Sequence, residues 1–369
     1  MLLTAVVLVD KIRVWVPTLL LSSSMVPYAT TYITFCLPTR IVSKQLLQWL
    51  DNKLYTSYLR LCSFVFECLS NVSINFYGDI SEIRNIRESA LIISNHQSNV
   101  DWAVINMLAS RQTSNGMEYG LRFVVKSAIN FVPLFGWYIF QHGYIYVRRF
   151  GQFVPDPLLR QFKNLRELNE PFWLHIFPEG TRFSRKKKSL IEISHEYAKK
   201  AGLHVPQYTL LPRAGAFTLA LMELKDTVEY IYDITIAYDQ TRLPNRMGLA
   251  PNMFEFVSSA IGPKGLHIHV RRIHISEVPL EKEATKQWLY DRFAQKDKLL
   301  QYFYDNGNFP DLFEKDAPKI SFNKTIIPFV GFFTALMLPF FSKPVRNIYI
   351  GTVATSPFLI AWLHLRKCV

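Results

Sequence analysis

Two short clusters hold the side chains best suited to chemistry. Asn95, His96, Gln97, Ser98, Asn99, Val100 and Asp101 follow the apolar run Ala90 to Ser94, and Pro178, Glu179, Gly180, Thr181 and Arg182 follow the run Trp173 to Phe177. An imidazole titrates near neutrality, so an exposed His96 can take a proton from an attacking group. An aspartate five positions later, in the first turn of a helix capped by Ser98 or Asn99, can hold one ring nitrogen and leave the other as acceptor. In the second cluster Gly180 permits a tight turn or a close backbone approach, and Arg182 offers a planar fork that fits two phosphate oxygens. Each cluster alone has a plain alternative: a local hydrogen bond for His96 and Asp101, an ordinary turn with a surface ion pair for Glu179 and Arg182. Side by side they describe a base next to an anion site.

Such a pairing needs a scaffold that brings two strand ends together. Short β-like runs at Ala90 to Ser94, Phe123 to Lys126, Tyr144 to Arg148, Trp173 to Phe177, Tyr208 to Pro212, Tyr232 to Tyr238 and Leu266 to Arg271 alternate with helical stretches at Val100 to Arg111, Leu158 to Asn169 and Leu190 to Ala201. This alternation predicts an α/β fold with a largely parallel or mixed sheet flanked by helices, where sites lie at the carboxyl ends of strands. Glu281 to Tyr304 reads as a charged, solvent-facing helix. Leu47, Leu50, Leu54, Tyr58, Leu61 and Val65 recur every three or four residues, an amphipathic helix for the bilayer surface or for the core.

The ends of the chain are apolar. No formal charge lies between Val14 and Thr39, long enough for one membrane span, although Pro17, Pro27 and the serines 22–24 leave a kinked or re-entrant helix open. A cleaved signal peptide fits less well, because Asp10, Lys11 and Arg13 lie deep in the chain. Thr325 to Ser342 and Asn347 to Leu365 predict a C-terminal helical hairpin, either two thin spans or one shallow re-entry, with Pro339 and Pro357 inside. The expected organisation is an N-terminal membrane anchor (1–45), an amphipathic linker (46–80), a catalytic domain (81–310) and a C-terminal hydrophobic hairpin (311–369). Flanking charges give no orientation, and the sequons at Asn71 and Asn323 are too short a signal to assign a lumenal side.

Composition narrows the partners. Lys and Arg number 42 against 29 Asp and Glu, so a polyanion is expected: nucleic acid, an anionic bilayer or a phosphorylated substrate. With 49% hydrophobic residues and a mean hydropathy of +0.08 the chain is neither disordered nor an ordinary soluble globule. Cys36, Cys62, Cys68 and Cys368 have neither metal-ligand spacing nor a disulfide pattern, so no metal is expected.

In four blocks the sequence resembles the glycerolipid acyltransferases. NHQSNVD is similar to their His-x4-Asp motif, FPEGTR to their Glu-Gly-Thr-Arg motif, GYIYVRR (Gly143 to Arg149) to their second block and LLPRAGAF (Leu210 to Phe217) to their fourth, in the expected order. With YIYDITIAY, HIHVRRI and the hydrophobic hairpin, the chain most resembles the animal 1-acyl-sn-glycerol-3-phosphate acyltransferases of the epsilon type. The resemblance implies a glycerolipid acyltransferase fold with membrane helices. It implies acyl transfer from acyl-CoA, a co-substrate with no further cofactor, to the sn-2 hydroxyl of lysophosphatidic acid. His96 would be the general base and Asp101 its orienter. In the substrate-binding set Glu179, Gly180, Thr181 and Arg182, Arg182 would bind the lysolipid phosphate while Glu179 and Gly180 shape the loop, with Lys126 and Arg149 adding charge toward phosphate or CoA. It also implies a bilayer partner and an endoplasmic reticulum membrane, a mitochondrial membrane being the other option. One departure stands out: Pro212 is followed by Arg213, as in the longer animal branch, where the simplest bacterial members carry an apolar residue. That leaves lysophosphatidylinositol and lysocardiolipin open as acceptors.

Other classes lack their signatures. The run Arg185 to Lys188 has no nucleic-acid module around it, and G-x-S-x-G, G-x-x-x-x-G-K and G-x-G-x-x-G are all missing. His142, His175, His267 and His269 show no partner pattern and read as structural. The non-enzymatic alternative is an inert membrane lipid-binding homologue, against which the intact His96, Asp101, Glu179 and Arg182 count.

Overall fold

The computed structural model describes residues 15–148, 156–168, 170–257, 264–311, 313–314 and 317–365. Among the described residues eight strands form one mixed sheet: β1 (Ser73–Gly78), β2 (Ala90–Ser94), β3 (Leu121–Lys126), β4 (Ile145–Val147), β5 (Trp173–Ile176), β6 (Tyr230–Tyr238), β7 (Gly265–His274) and β8 (Phe313–Glu314), in the order β4-β3-β5-β2-β6-β7-β1-β8. From β4 to β6 all neighbours are parallel, and β7 then runs antiparallel to β6. The carboxyl ends of β2, β3, β4, β5 and β6 therefore open on a single edge, which is what a site built from several loops requires.

Strand β2 is Ala-Leu-Ile-Ile-Ser and is buried at every position. It has neighbours on both sides and a hydrophobic layer on both faces, so it reads as a continuous apolar run rather than an alternating one. Side-chain alternation still divides its residues: Ile92 joins the core on one face with Val104 and Tyr232, while Leu91 and Ile93 join the other with Phe217 and Leu221. Complete burial of such a side chain contributes about 1.5–3 kcal/mol.

The helix Asp101–Ala109 follows β2 directly. Neither Ser98 nor Asn99 sits at its N-cap, which is Val100; instead the Asp101 carboxylate reaches back to the loop's N–H groups. Tyr208 to Pro212 is not a strand. Three of its four amides are occupied by side chains from elsewhere, Tyr208 N donating to Asp297 (2.7 Å), Leu210 N to Glu179 (2.9 Å) and Leu211 N to Ser194 (2.9 Å), so no run of amides is left for a ladder. The charged helix Lys282–Asn306 is not solvent-facing throughout: it buries Leu289, Phe293, Lys296 and Asp297. Lys296 and Asp297 are accommodated there because Lys296 meets Asp233 and donates to the Ile234 carbonyl, while Asp297 accepts from the 207–208 amides.

The N-terminal segment alternates helix types: α-helix over 15–23 and Met25–Thr31, a π-turn at Tyr32–Cys36 and a 3₁₀ turn at Leu37–Ile41. Tyr28 and Tyr32 are buried against the domain, whereas Phe35, Ile41 and Val42 are exposed. Residues 1–14 of the expected anchor lie outside the described set. The helix Lys44–Ser63 buries Asp51, Tyr55 and Leu59, placing it in the core rather than flat on a surface. At the other end Phe322–Phe341 and Lys343–Leu365 are long and apolar enough to cross a membrane, and they fold back on each other. Lys343 to Arg346, expected as the connection, form the opening turn of the second helix.

Candidate active site

His96 leaves the carboxyl end of β2 and is held by its backbone as well as its ring. Its N–H donates to Glu179 Oε1 (2.6 Å), and its carbonyl accepts from Phe183 N (2.7 Å), joining the two sequence clusters directly. The ring stacks on Phe177 at 4.0 Å, and Nδ1 lies 2.8 Å from Asp101 Oδ2. That carboxylate is fully buried and tightly specified: Oδ2 also accepts from Gln97 N (2.8 Å) and Ser98 N (2.9 Å), and Oδ1 accepts from Tyr238 Oη (2.5 Å) at the end of β6. With Nδ1 committed to Asp101, Nε2 remains the ring atom for a substrate proton.

The turn after β5 is built around Gly180, whose φ of +65° is costly for any residue with a Cβ. Glu179, expected to shape this substrate-binding loop, sits in it as a strut. It is buried to 2% exposure, and its two oxygens accept from His96 N and Leu210 N, so no face of it is left for a ligand. Burial pushes its carboxyl well above the usual range, the two amides pull it back, and the Asp101 charge adds to the rise. Arg213 N donates to the Pro178 carbonyl (2.8 Å), which ties the fourth block to the third.

A cavity of about 810 Å³ opens beside the His96 ring, within the range of roughly 300–1,000 Å³ usual for small-molecule sites. Lys126, Arg148, Arg182, Lys187 and Arg213 lie on its wall, with no acidic residue among the described lining. Apolar and aromatic side chains make up much of the remainder, among them Met25, Tyr28, Trp102, Phe123, Ile139 and Tyr144. Of the predicted residues the structure gathers His96, Lys126, Gly180, Thr181 and Arg182 on this wall, with Asp101 directly behind the base. Arg149 lies outside the described residues. Lys187 and Arg213 were not singled out as ligands; Lys187 bonds the Arg182 carbonyl (3.0 Å), and only the unusual Pro212-Arg213 pair marked Arg213. Among the described residues no group of three His, Cys, Asp or Glu side chains could hold a metal.

The four unpaired histidines of the sequence all have partners. His142 meets Asp51 (2.6 Å), His175 meets Ser94 (2.8 Å), His267 bridges Tyr77 and Asp239, and His269 meets Asp311 (2.5 Å). Most of these partners are far apart in the chain, which is why no local pattern announced them.

A model of the acyltransferase family matches residues 75–239, and a model of the acyltransferase C-terminus matches residues 261–334. The matched regions place the chain among the acyltransferases. Over 360 residues the chain is 34% identical to mouse 1-acyl-sn-glycerol-3-phosphate acyltransferase epsilon, covering 95% of this chain and 96% of that one. It is 28% identical over 273 residues to the lysocardiolipin acyltransferase 1 of Gallus gallus, covering 73% and 68%. The crystal structure of the 1-acyl-sn-glycerophosphate acyltransferase of Thermotoga maritima matches with a TM-score of 0.43 and 16% identity, covering 79% of this chain and 98% of that one. The chain belongs to the 1-acyl-sn-glycerol-3-phosphate acyltransferase family.

Proposed function

We propose that the protein moves a fatty acyl group from acyl-CoA to the sn-2 hydroxyl of lysophosphatidic acid, giving phosphatidic acid, with His96 as general base. The observation that carries this reading is the position of the His96 residue on a cavity walled by both cationic and apolar side chains. In the reaction His96 Nε2 takes the hydroxyl proton while that oxygen attacks the thioester carbonyl. The tetrahedral adduct then expels the CoA thiolate, which receives the proton from the imidazolium, so one ester and one free thiol result and no acyl-enzyme forms. Asp101 fixes the ring tautomer and stabilises the imidazolium. Arg182 takes the acceptor phosphate, and Lys126 and Arg213 add positive charge for phosphate or CoA.

The lipid acceptor stays in a bilayer while the donor is water-soluble, so the reaction belongs at their interface. The two C-terminal helices support that placement: their outer residues Phe340, Phe341, Ile350 and Phe358 are strongly exposed, as lipid-facing residues would be. We assign the protein to the endoplasmic reticulum membrane, which co-fractionation with organelle markers tests.

The direct experiment follows labelled acyl chains from acyl-CoA to lysophosphatidic acid in the native protein and in His96→Ala. A loss of about 100- to 10,000-fold is expected for a removed general base; equal, measurable rates would remove His96 as the base, and no transfer by the native protein would discard this donor–acceptor pair. The lysocardiolipin relative keeps a second acceptor in view. Five cations on the cavity wall favour a doubly charged phosphate monoester. Arg182→Ala should therefore lose more on lysophosphatidic acid than on acceptors whose phosphate is a diester, and equal losses would reassign the acceptor.

A further inference from the structure

The second C-terminal helix, Lys343–Leu365, has two unlike faces. Ile350 (62%), Val353 (47%) and Phe358 (75%) are exposed, while Thr352 (9%), Ser356 (3%) and Leu363 (0%) are buried against the domain. A hydroxyl on the inner face of an apolar helix invites a partner, because a buried polar group without one is costly. Both hydroxyls have theirs in segments that wall the cavity. Thr30 Oγ1 donates to Thr352 Oγ1 (3.0 Å), beside cavity residues Met25 and Tyr28. Ser356 Oγ accepts from Leu134 N (3.1 Å), in the turn between cavity residues Ile129 and Phe135.

Leu134 is the more telling contact. Its φ is +60° with ψ at −49°, a conformation that a branched L-residue adopts only when its surroundings impose it. The residue is buried, so its N–H has no water to fall back on. Ser356 supplies that N–H with an acceptor, and Phe131 in the same turn stacks on His364 of the same helix at 5.2 Å. The turn leads back to Lys126 at the end of β3 and forward to the helix Phe135–Gln141, whose Tyr138 and Ile139 also line the cavity.

We propose that Ser356 is a positioning residue for the acyl-chain end of the cavity, holding the strained Leu134 turn so that a second wall is set by the membrane helix rather than by the catalytic domain. The inference rests on the proposed acyl transfer, in which the apolar residues of this cavity hold the fatty chain. Loss of the Ser356 hydroxyl releases the turn, moves Ile129 and Phe135, and changes which chains fit, without touching His96 or Arg182.

The test measures binding of non-hydrolysable thioether analogues of acyl-CoA, from lauroyl to stearoyl, to the full chain in detergent micelles, beside the thermal midpoint and acyl transfer. Ser356→Ala should weaken binding by about 5- to 20-fold for the best-fitting chain and flatten the dependence on length, since preorganisation is lost rather than a contact. Ser356→Thr, which keeps the hydroxyl, should restore both. Thr352→Val gives a second reading on the other wall should Ser356→Ala fold poorly, with a smaller change in the same direction expected. A native length profile and affinity in folded Ser356→Ala, or in Thr352→Val where Ser356→Ala does not fold, would overturn the proposal. So would a loss equal at every length, or a native protein that binds none of the analogues. If the analogues bind and Ser356→Ala responds as expected while the native protein transfers no acyl group, the transferase reading falls and the positioning role stands.

Discussion

Two histidine–aspartate pairs flank the same cavity, and they differ in what they can do. His96 and Asp101 are five residues apart, 2.8 Å between atoms, and the His96 side chain keeps 20% of its surface open. His142 and Asp51 are 91 residues apart and closer still at 2.6 Å, but the His142 side chain is sealed at 0%. Tyr138 Oη donates to Asp51 (2.7 Å), and Tyr138 and Tyr144 stand between this second pair and the cavity. Burial, and then the Arg122 charge, hold His142 down to about 4 against the pull of Asp51. A short His–Asp distance is therefore shared by an imidazole open to the cavity and by a buried fastener between the helix Lys44–Ser63 and the helix Phe135–Gln141. Access and the supports behind the carboxylate separate the two roles.

The largest effect should come from breaking the sealed pair. Asp51→Ala leaves His142 and the Tyr138 hydroxyl without their buried acceptor, and a loss of about 3–5 kcal/mol is expected from denaturant unfolding. The matching Asp101→Ala takes the acceptor from four buried or half-buried donors, so it should cost comparable stability and, per folded molecule, far more activity. The sealed pair also carries an acid signature. An unfolded histidine titrates near about 6.5, above the folded value of about 4, so the unfolded chain binds the proton first. The stability contributed by a neutral His142 is fully present above about 6.5 and is lost as pH falls from there toward about 4. Thermal midpoints across that window should fall less steeply in His142→Gln than in the native chain.

Smaller effects sharpen the open pair. Glu179→Gln replaces an acceptor oxygen with an NH₂ facing either His96 N or Leu210 N, so one backbone donor loses its partner. A roughly 10- to 100-fold fall in kcat with a modest change in KM is expected, in line with about 1–3 kcal/mol for an unsatisfied buried group. Tyr238→Phe removes one of four hydrogen bonds to Asp101 and should lower kcat by only a few-fold, about 1 kcal/mol. A larger loss than that of Glu179→Gln would move Tyr238 from a support of the carboxylate to a group acting on the substrate.

The contrast also explains what could be read without coordinates. Strand β2 was legible to the residue because its determinants are local, a run of buried aliphatic residues; the His96–Asp101 pairing after it was legible too, but not the cap, because the Asp101 carboxylate takes the loop amides that Ser98 or Asn99 was expected to serve. The joining of His96 to Glu179 was legible only as an adjacency of two clusters, since the 2.6 Å bond that makes it spans 83 residues. Tyr208 to Pro212 carries strand-like residues, but Asp297, Glu179 and Ser194 outcompete any neighbouring strand for its amides. Strand β1, Ser73–Gly78, went unmarked because its Asn75 and Gly78 dilute the apolar run, and its parallel partner β7 lies some 190 residues away. Lys296 and Asp297 look solvated on a helical wheel, and their burial is intelligible only once Asp233 and the 207–208 amides are opposite them. The Asp51–His142 pair had no local pattern at all.

The central claim is that the open pair does the chemistry and the sealed pair does not. Single-turnover acyl transfer from acyl-CoA to lysophosphatidic acid, measured for His96→Ala and His142→Ala and normalised to the folded fraction of each, tests it most directly. The account predicts a fall of about 100- to 10,000-fold for His96→Ala and a rate near native per folded molecule for His142→Ala. Equal losses in the two variants, or a native rate in His96→Ala, would contradict it.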